Sequence, residues 1–393
     1  MTFYLNDLGI LCASGTGKQN VLQAVLSGSR AGLQASDEFT PGRELFLGRI
    51  NQMLPALPQH WQLYDCRNNQ LLMAAITQIM PTIESMRNQF GAHRIGMVLG
   101  TSTSGIRNTE RALAAKAQTG QTPATYHYKQ QQMGAGVDFL ARYLGIGGPC
   151  HTVSTACSSS GKAFLSARRL LALKLCDAVI VGGADSLCSL TVNGFTALES
   201  VSRSLCKPFG QQRDGINIGE AAALFVMSRQ PGPVVLRGAA ATSDAHHFSA
   251  PDPSGKAVMQ AMQYAQQQAV ITPNQVDYVN LHGTATLLND AMESRASFQL
   301  FGENTPVSSS KGMTGHTLGA AAALELGLCW LLLTSNDPHG QLIANINDDQ
   351  IDPALPQLHW LHVGETLGRP IKVCQSNSFA FGGSNVSLLV GQA

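Results

Sequence analysis

Charge is what this chain has least of. Asp, Glu, Lys and Arg make up 13% of its 393 residues against 44% apolar, and the formal net charge is +1. An apolar fraction this high excludes a disordered or fibrous chain. So small a net charge excludes general attraction to nucleic acid or to an anionic membrane, so an acidic partner must be met by a local patch. Cysteine spacing is equally negative. The nine cysteines are scattered, odd in number and nowhere arranged as CxxC, which argues against a disulfide framework or a zinc site and for reduced thiols in a cytoplasmic protein. Residues 1–9 lack a basic segment followed by an apolar core, so no secretion signal is expected. The most apolar run, 318–333, contains Glu325 and falls short of the roughly 20 residues that span a bilayer. It reads as a central helix, apolar on all sides because it is buried on all sides.

What the chain does have is glycine, 39 in all, and length enough for two domain-sized halves. Residues 3–12 alternate as a strand and 18–27 read as an amphipathic helix. Gly15-Thr16-Gly17-Lys18 looks briefly like a phosphate loop, but Cys12 stands where its first glycine belongs and Gln19 where Ser or Thr belongs. A helical stretch at 71–86 is interrupted by Pro81. The strand 94–100 ends in Thr101-Ser102-Thr103-Ser104-Gly105, and strand ends of this kind are where open α/β sheets place ligands. Residues 177–183, DAVIVGG, form a continuous apolar strand of a sheet covered on both faces. Gln230-Pro231-Gly232-Pro233 is the best boundary, dividing 1–229 from 230–393. Beyond it the pattern restarts: 276–281 leads into His282-Gly283-Thr284-Ala285-Thr286 much as 95–99 leads into the threonine-rich turn. Likewise 307–311 leads into the apolar helix much as 152–156 leads into the next one. Two similar α/β halves, each sending a buried helix N-terminus toward a shared centre, are implied.

The stretch around which the rest is organised is Val153-Ser154-Thr155-Ala156-Cys157-Ser158-Ser159-Ser160-Gly161. It takes a short β-branched strand into a helix with Cys157 at the bend. The free N–H groups and dipole of a helix start favour a thiolate, which is the nucleophile. At this point Cys157 is either a small buried packing residue or that nucleophile. Three further places stand out. His282 lies at a strand end before a Gly-Thr-x-Thr turn. Lys311-Gly312-Met313-Thr314-Gly315-His316 puts His316 at the start of the apolar helix, with Glu325 further along it. Asn377-Ser378-Phe379-Ala380-Phe381-Gly382-Gly383-Ser384-Asn385 is a glycine-rich turn before the final strand. Histidine at a helix start is biased toward the neutral imidazole that donates to a carbonyl oxygen. Glu325 in so apolar a helix needs a partner, which Lys311 or a histidine-linked network could supply.

TACSSS, LHGTAT, KGMTGH and NSFAFGGSN, in this order, resemble the β-ketoacyl-acyl carrier protein synthases of the elongating type, the condensing enzymes or ketosynthases. VGGADS at 181–186, Lys207-Pro208-Phe209, Arg213-Asp214-Gly215 and Gly219-Glu220 extend the resemblance essentially end to end. It implies the thiolase fold, an α/β protein whose duplicated halves pack as five layers, α-β-α-β-α, and which forms dimers with itself or with a ketosynthase-like paralogue. It implies Cys157 as acyl-accepting nucleophile, with the Cys157 and Phe381 backbone N–H groups as oxyanion hole. His282 and His316 would hold the malonyl thioester, Lys311 and Glu325 would form a supporting charged pair, and Thr284 and Thr286 would bond the phosphopantetheine arm. Phe379 would gate an acyl pocket also lined by Thr103 and Phe195. The acidic carrier protein would meet Arg67, Arg107 and Lys129. No metal and no cofactor is implied, since phosphopantetheine arrives on the carrier. His316 after Lys311 and Gly315 argues against the chain-starting synthases, in which asparagine fills this role.

Three departures qualify the match. Ala380 stands where the family commonly has glycine between the phenylalanines, and the segment between Phe195 and Arg213 is shorter than in fatty-acid synthases of this kind. VSTACSSS is nearer the polyketide form of the motif. A specialised polyketide or polyene pathway is therefore expected over housekeeping fatty-acid synthesis.

Overall fold

The long apolar runs do become strands buried on both faces. The computed structural model describes residues 1–347 and 350–393. Its main sheet has twelve strands. Five belong to the first half: β1 (Tyr4–Cys12), β2 (Ile95–Gly100), β3 (Cys150–Val153), β4 (Ala178–Asp185) and β5 (Ala221–Ser228). Five belong to the second: β6 (Val234–Ser243), β7 (Tyr278–Asn280), β8 (Pro306–Ser308), β9 (Val373–Ala380) and β10 (Ser384–Gln392). Two-residue strands at Gly15–Thr16 and His359–Trp360 complete it. Every residue of β4, β5 and β9 is buried, which is why these strands read as continuous rather than alternating.

The two halves share one topology. In space the first runs β3-β2-β4-β5-β1 and the second β8-β7-β9-β10-β6. In each, the first three strands of that order are parallel and the last two antiparallel. The halves join through β1 and β6, at Tyr4 with Val235 and Leu5 with Val234. Residues 230–233 form the connection between β5 and β6.

Helices α1 (Arg67–Thr77) and α2 (Ala135–Leu144) cover the outer face of the first sheet. Between the sheets lies α3 (Ser159–Ala172), while α4 (Lys256–Ala269) and α5 (Leu287–Phe301) cover the outer face of the second sheet. The last helix, α6 (Ala321–Thr334), also lies between the sheets, against α3, β5, β9 and β10. The layers are therefore α-β-α-β-α. Thirteen successive residues of α6, from Ala321 to Leu333, are buried. Each buried leucine contributes about 1.5–3 kcal/mol, so the helix anchors both sheets at once. The expected helix over 71–86 is two helices, because Pro81 lies in the first turn of a new one, Met80–Phe90. The phosphate-loop look-alike is a hairpin onto β1, and Lys18 pairs with Asp7.

The duplication extends to single contacts. A side chain on Gly9 of β1 would meet the Ala75 carbonyl oxygen of α1 at 2.0 Å, and one on Gly238 of β6 would meet the Ala265 carbonyl oxygen of α4 at 1.9 Å. Gly9→Val and Gly238→Val should each lower unfolding free energy by about 1–3 kcal/mol through overpacking, read as a lower urea midpoint. An unchanged midpoint for either would deny that helix and strand touch there.

Candidate active site

At the end of β3 the chain turns sharply. Ala156 is in the left-handed region at φ 52°, and the Ser159 hydroxyl accepts from the Thr155 N–H at 2.9 Å and donates to the Ala156 carbonyl at 2.5 Å. This turn leaves Cys157 just ahead of α3, whose first residue is Ser159. The strand ends lie close behind it: a side chain on Gly100 would reach the Ser160 backbone nitrogen at 2.2 Å. Glycine there lets β2 support the nucleophile helix directly.

From the second half, the segment after β7 brings His282 and the segment before α6 brings His316. The Nε2 of His316 is 3.0 Å from the Cys157 sulfur. One ring nitrogen of each histidine and the sulfur all lie within 4.8 Å of one another. The two imidazoles meet edge to face, with centroids 5.3 Å apart. His316 does not start the apolar helix as its sequence position suggests. Its N–H donates to the Asn217 carbonyl at 2.6 Å, Gly319 donates to the Asp185 carboxylate at 2.6 Å, and the helix proper begins at Ala321. The first bond holds His316 against the segment 217–219 and the second ties Gly319 to Asp185 at the end of β4, ahead of the helix.

Lys311 and Glu325 form a buried ion pair, each side chain 2% exposed. The ammonium also donates to the His282 carbonyl at 2.5 Å and lies 3.3 Å from His282 Nδ1. An ammonium has only donors, so Nδ1 accepts and the His282 proton is carried on Nε2. His316 Nδ1 has no hydrogen-bond partner among the described residues, so neither of its tautomers is locked. Burial first, then the nearby Lys311 charge, holds both imidazoles well below the ordinary histidine value; both are neutral at pH 7.

The thiol departs from the sequence expectation. Burial pushes Cys157 up to about 12, although Lys311 and the Phe381 backbone N–H pull the other way. In this enclosed site desolvation outweighs the helix start, so the resting pair is thiol and imidazole, with His316 Nε2 placed to take the proton.

The small pocket around these groups is lined by Cys157, Phe195, His282, Thr284, Thr286, His316, Phe379 and Phe381, together with Ser200, Ile216 and Asn289. The Thr284 and Thr286 hydroxyls lie 2.9 Å apart, and Phe195 packs on Phe381 with centroids 5.6 Å apart. Thr103 does not line this pocket; it is fully buried and its hydroxyl donates to Asp185 at 2.9 Å. Positive φ in the aromatic turn falls on Gly382, 82°, and Gly383, 71°, while Ala380 is extended within β9. The hinge freedom that Ala380 lacks is thus present two residues later.

Of the three surface cations, Arg67 is paired with the buried Glu220, and Arg107 is paired with Glu38 and stacks 5.0 Å from the Phe39 ring. Lys129, in the turn Tyr128–Gln131, is partly exposed. Sequence reasoning passed over Glu293, Asp290 and Asp185. Glu293 accepts the His282 and Gly283 N–H groups, both at 2.7 Å, and Asp290 accepts Phe209 and Ala285. Their spacing of three on α5, directly after the LHGTAT turn, was the available signal. Burial raises Glu293 to about 8 and Asp290 to about 6. The cluster Cys157, His282 and His316 also has the donor set for a thiophilic cation, but the Lys311 ammonium beside His282 opposes a second positive charge there.

Fold and site together define a duplicated α/β protein with one buried cysteine facing two neutral histidines. The N-terminal domain model of the β-ketoacyl synthases matches residues 67–231 and the C-terminal domain model matches 234–345. The chain is 30% identical to 3-oxoacyl-acyl-carrier-protein synthase 2 of Synechocystis sp. over 77% of its own length and 76% of the relative's. It is 34% identical to the mitochondrial 3-oxoacyl-acyl-carrier-protein synthase of Arabidopsis thaliana over 62% of its length, a match that spans 57% of that relative. Among solved structures, a chain of the ketosynthase (ApeO)–chain length factor (ApeC) complex from Xenorhabdus doucetiae superposes with a TM-score of 0.95. The two are 44% identical, and the match covers 100% of this chain and 98% of that one. The chain belongs to the β-ketoacyl synthase family, and its fold is the thiolase fold.

Two measurements follow from the electrostatics. Alkylation of Cys157 by iodoacetamide should keep accelerating, close to tenfold per pH unit, beyond about pH 9, because a thiol raised by burial ionises late; a plateau near neutrality would mean that the helix start prevails. Lys311→Met should cost about 3–5 kcal/mol by leaving Glu325 buried and unpaired, and Lys311→Met with Glu325→Gln should recover part of it. Equal losses in the single and double variants would contradict the pairing.

Proposed function

We propose that the chain elongates an acyl group by decarboxylative condensation with a malonyl unit, both delivered as thioesters of an acyl carrier protein. The observation that carries this is the 3.0 Å contact of His316 Nε2 with the Cys157 sulfur, with His282 presenting its Nε2–H to the same pocket. In the first half-reaction His316 Nε2 takes the thiol proton as sulfur attacks the acyl thioester. The Cys157 and Phe381 N–H groups face the oxygen that becomes negative. Collapse breaks the carbon–sulfur bond to the carrier, and the departing thiolate takes the proton from His316.

In the second half-reaction malonyl thioester enters past Thr284 and Thr286. Carbon dioxide leaves, its bonding electron pair becomes an enolate, and the enolate oxygen is held by His282 Nε2–H and by His316 in its Nε2–H tautomer. The enolate carbon attacks acyl-Cys157. Collapse expels the thiolate, which regains a proton from water through His316, and the carrier leaves with a β-ketoacyl chain two carbons longer. Two histidine donors suit enolate formation better than a histidine with a second cysteine as base. No step calls on a metal or on a cofactor of the chain's own. Free thiols at all nine cysteines suit a reducing cytoplasm. The polyketide-like nucleophile motif, and likeness to a ketosynthase–chain length factor complex, support a polyketide or polyene pathway. Of the carrier contacts named from the sequence, Lys129 presents the charge least engaged inside the protein.

Cys157→Ala should abolish elongated product yet still release carbon dioxide from malonyl-carrier, because both histidines remain. His282→Ala should lower that release by about 10²–10³-fold. Equal loss of decarboxylation in the two variants would overturn the division of labour. A wild-type protein that never becomes acylated would mark a silent, chain-length-setting subunit instead.

A further inference from the structure

The nucleophile turn is followed by three serines, Ser158, Ser159 and Ser160. Ser159 holds the turn at Ala156, and the Ser160 hydroxyl accepts the Ala323 N–H of α6 at 3.0 Å. Ser158, directly after Cys157, is fully buried and donates to the Thr155 carbonyl at 2.8 Å. Its hydroxyl also lies 3.1 Å from the Thr155 hydroxyl and 2.9 Å from the Ser384 hydroxyl. Ser384 ends the aromatic turn and accepts a hydrogen bond from the Lys162 ammonium, one helical turn along α3. The nucleophile helix thus reaches across to the turn that supplies Phe381.

Close packing makes that reach possible. A side chain on Gly161 would meet Val386 of β10 at 2.5 Å and Ala322 of α6 at 3.0 Å, so α3 lies directly on the strand that begins at Ser384. Lys162 is half-buried there, and among the described residues its ammonium has no carboxylate partner. Burial opposes its charge, so a cation is kept at this place against a loss of stability.

The ammonium gives the hydroxyls a direction. It has only donors, so the Ser384 hydroxyl accepts from it and turns its own proton toward Ser158, whose proton is committed to the Thr155 carbonyl. The chain of bonds runs one way, from Lys162 through Ser384 and Ser158 to Thr155, and a charged first donor strengthens those that follow. It joins two turns in the left-handed region, Ala156 at φ 52° on one side and Gly382 at 82° and Gly383 at 71° on the other. Glycine's freedom leaves the spacing of these turns open unless something fixes it.

We infer that Lys162 is a positioning residue for acyl transfer: acting through Ser384 and Ser158, it fixes the separation of the Cys157 and Phe381 N–H groups that face the developing oxyanion. The role presupposes the thioester chemistry proposed above. After burial, the charges that act most on the Cys157 sulfur are Lys311, Glu325 and Asp185, so Lys162 serves the carbonyl oxygen rather than the thiol.

Two rates measured on the whole protein separate positioning from packing. Lys162→Met should slow acylation of Cys157 by saturating acyl-carrier thioester about 10–100-fold, while alkylation by iodoacetamide, which develops no oxyanion, should stay within about threefold. Lys162→Arg, still a donor-only cation, should recover most of the acylation rate. Ser384→Ala should lose as much as Lys162→Met, with no further loss in the double variant. Equal slowing of acylation and alkylation, or undiminished acylation in a folded Lys162→Met protein, would overturn the role. Hydrogen exchange over residues 378–385 reads the clamp without any substrate: it should quicken in Lys162→Met and in Ser384→Ala while the melting temperature is kept, and unchanged exchange would overturn the role as well. A wild-type protein that is never acylated would instead refute the thioester chemistry, with exchange still deciding whether Lys162 holds the turn.

Discussion

A single buried ammonium holds this site together. Lys311 touches a carboxylate from α6 and both the carbonyl and the ring of His282 from the segment after β7. Buried ion pairs add little net stability because desolvation offsets their attraction. What this one supplies is orientation. It fixes which nitrogen of His282 carries the proton, and its charge, added to burial, keeps both imidazoles neutral. Without it the ring has no reason to present Nε2–H to the pocket. Glu325 in turn is held by Lys311 and by the Ser378 hydroxyl at 3.4 Å, so the helix that anchors both sheets is also tied to the aromatic turn.

The duplication explains how residues more than a hundred positions apart meet. Each half has the strand order 3-2-4-5-1 within itself, and each sends a helix from the end of its third strand into the middle layer. Two such helices side by side bring their starts to one place. One start carries the nucleophile and the segment before the other carries His316, so the chemistry is divided between the halves. Asp185 spans the division, taking Thr101, Ser102 and Thr103 from one half and Gly319 from the other.

Much of this was legible in the sequence. Continuous apolar runs gave the strands of a doubly covered sheet and the all-apolar stretch gave the central helix, while the restart after residues 230–233 pointed to two similar halves. Cys157, His282, His316, Lys311 and Glu325 were legible as candidates because each breaks a local pattern: a thiol at a bend, a histidine at a strand end, charges in an apolar surround. What was not legible depended on tertiary burial. The thiol's ionisation follows from how completely the second half covers it. The helix after His316 starts late because Asp185, far away in sequence, takes the Gly319 N–H. Thr103 reads like a pocket residue, yet its hydroxyl is spent on that same carboxylate. Arg67 and Arg107 look like surface charges until the fold brings Glu220 and Glu38 beside them.

Intact-mass spectrometry of the protein with an acyl-carrier thioester, followed by malonyl-carrier, bears most directly on the central claim. The account predicts one acyl adduct on Cys157, stable until malonyl-carrier is added, then lost as the carrier gains the acyl mass plus a two-carbon keto unit. An adduct that disappears by hydrolysis with malonyl-carrier unchanged, or that never forms on Cys157, would contradict it.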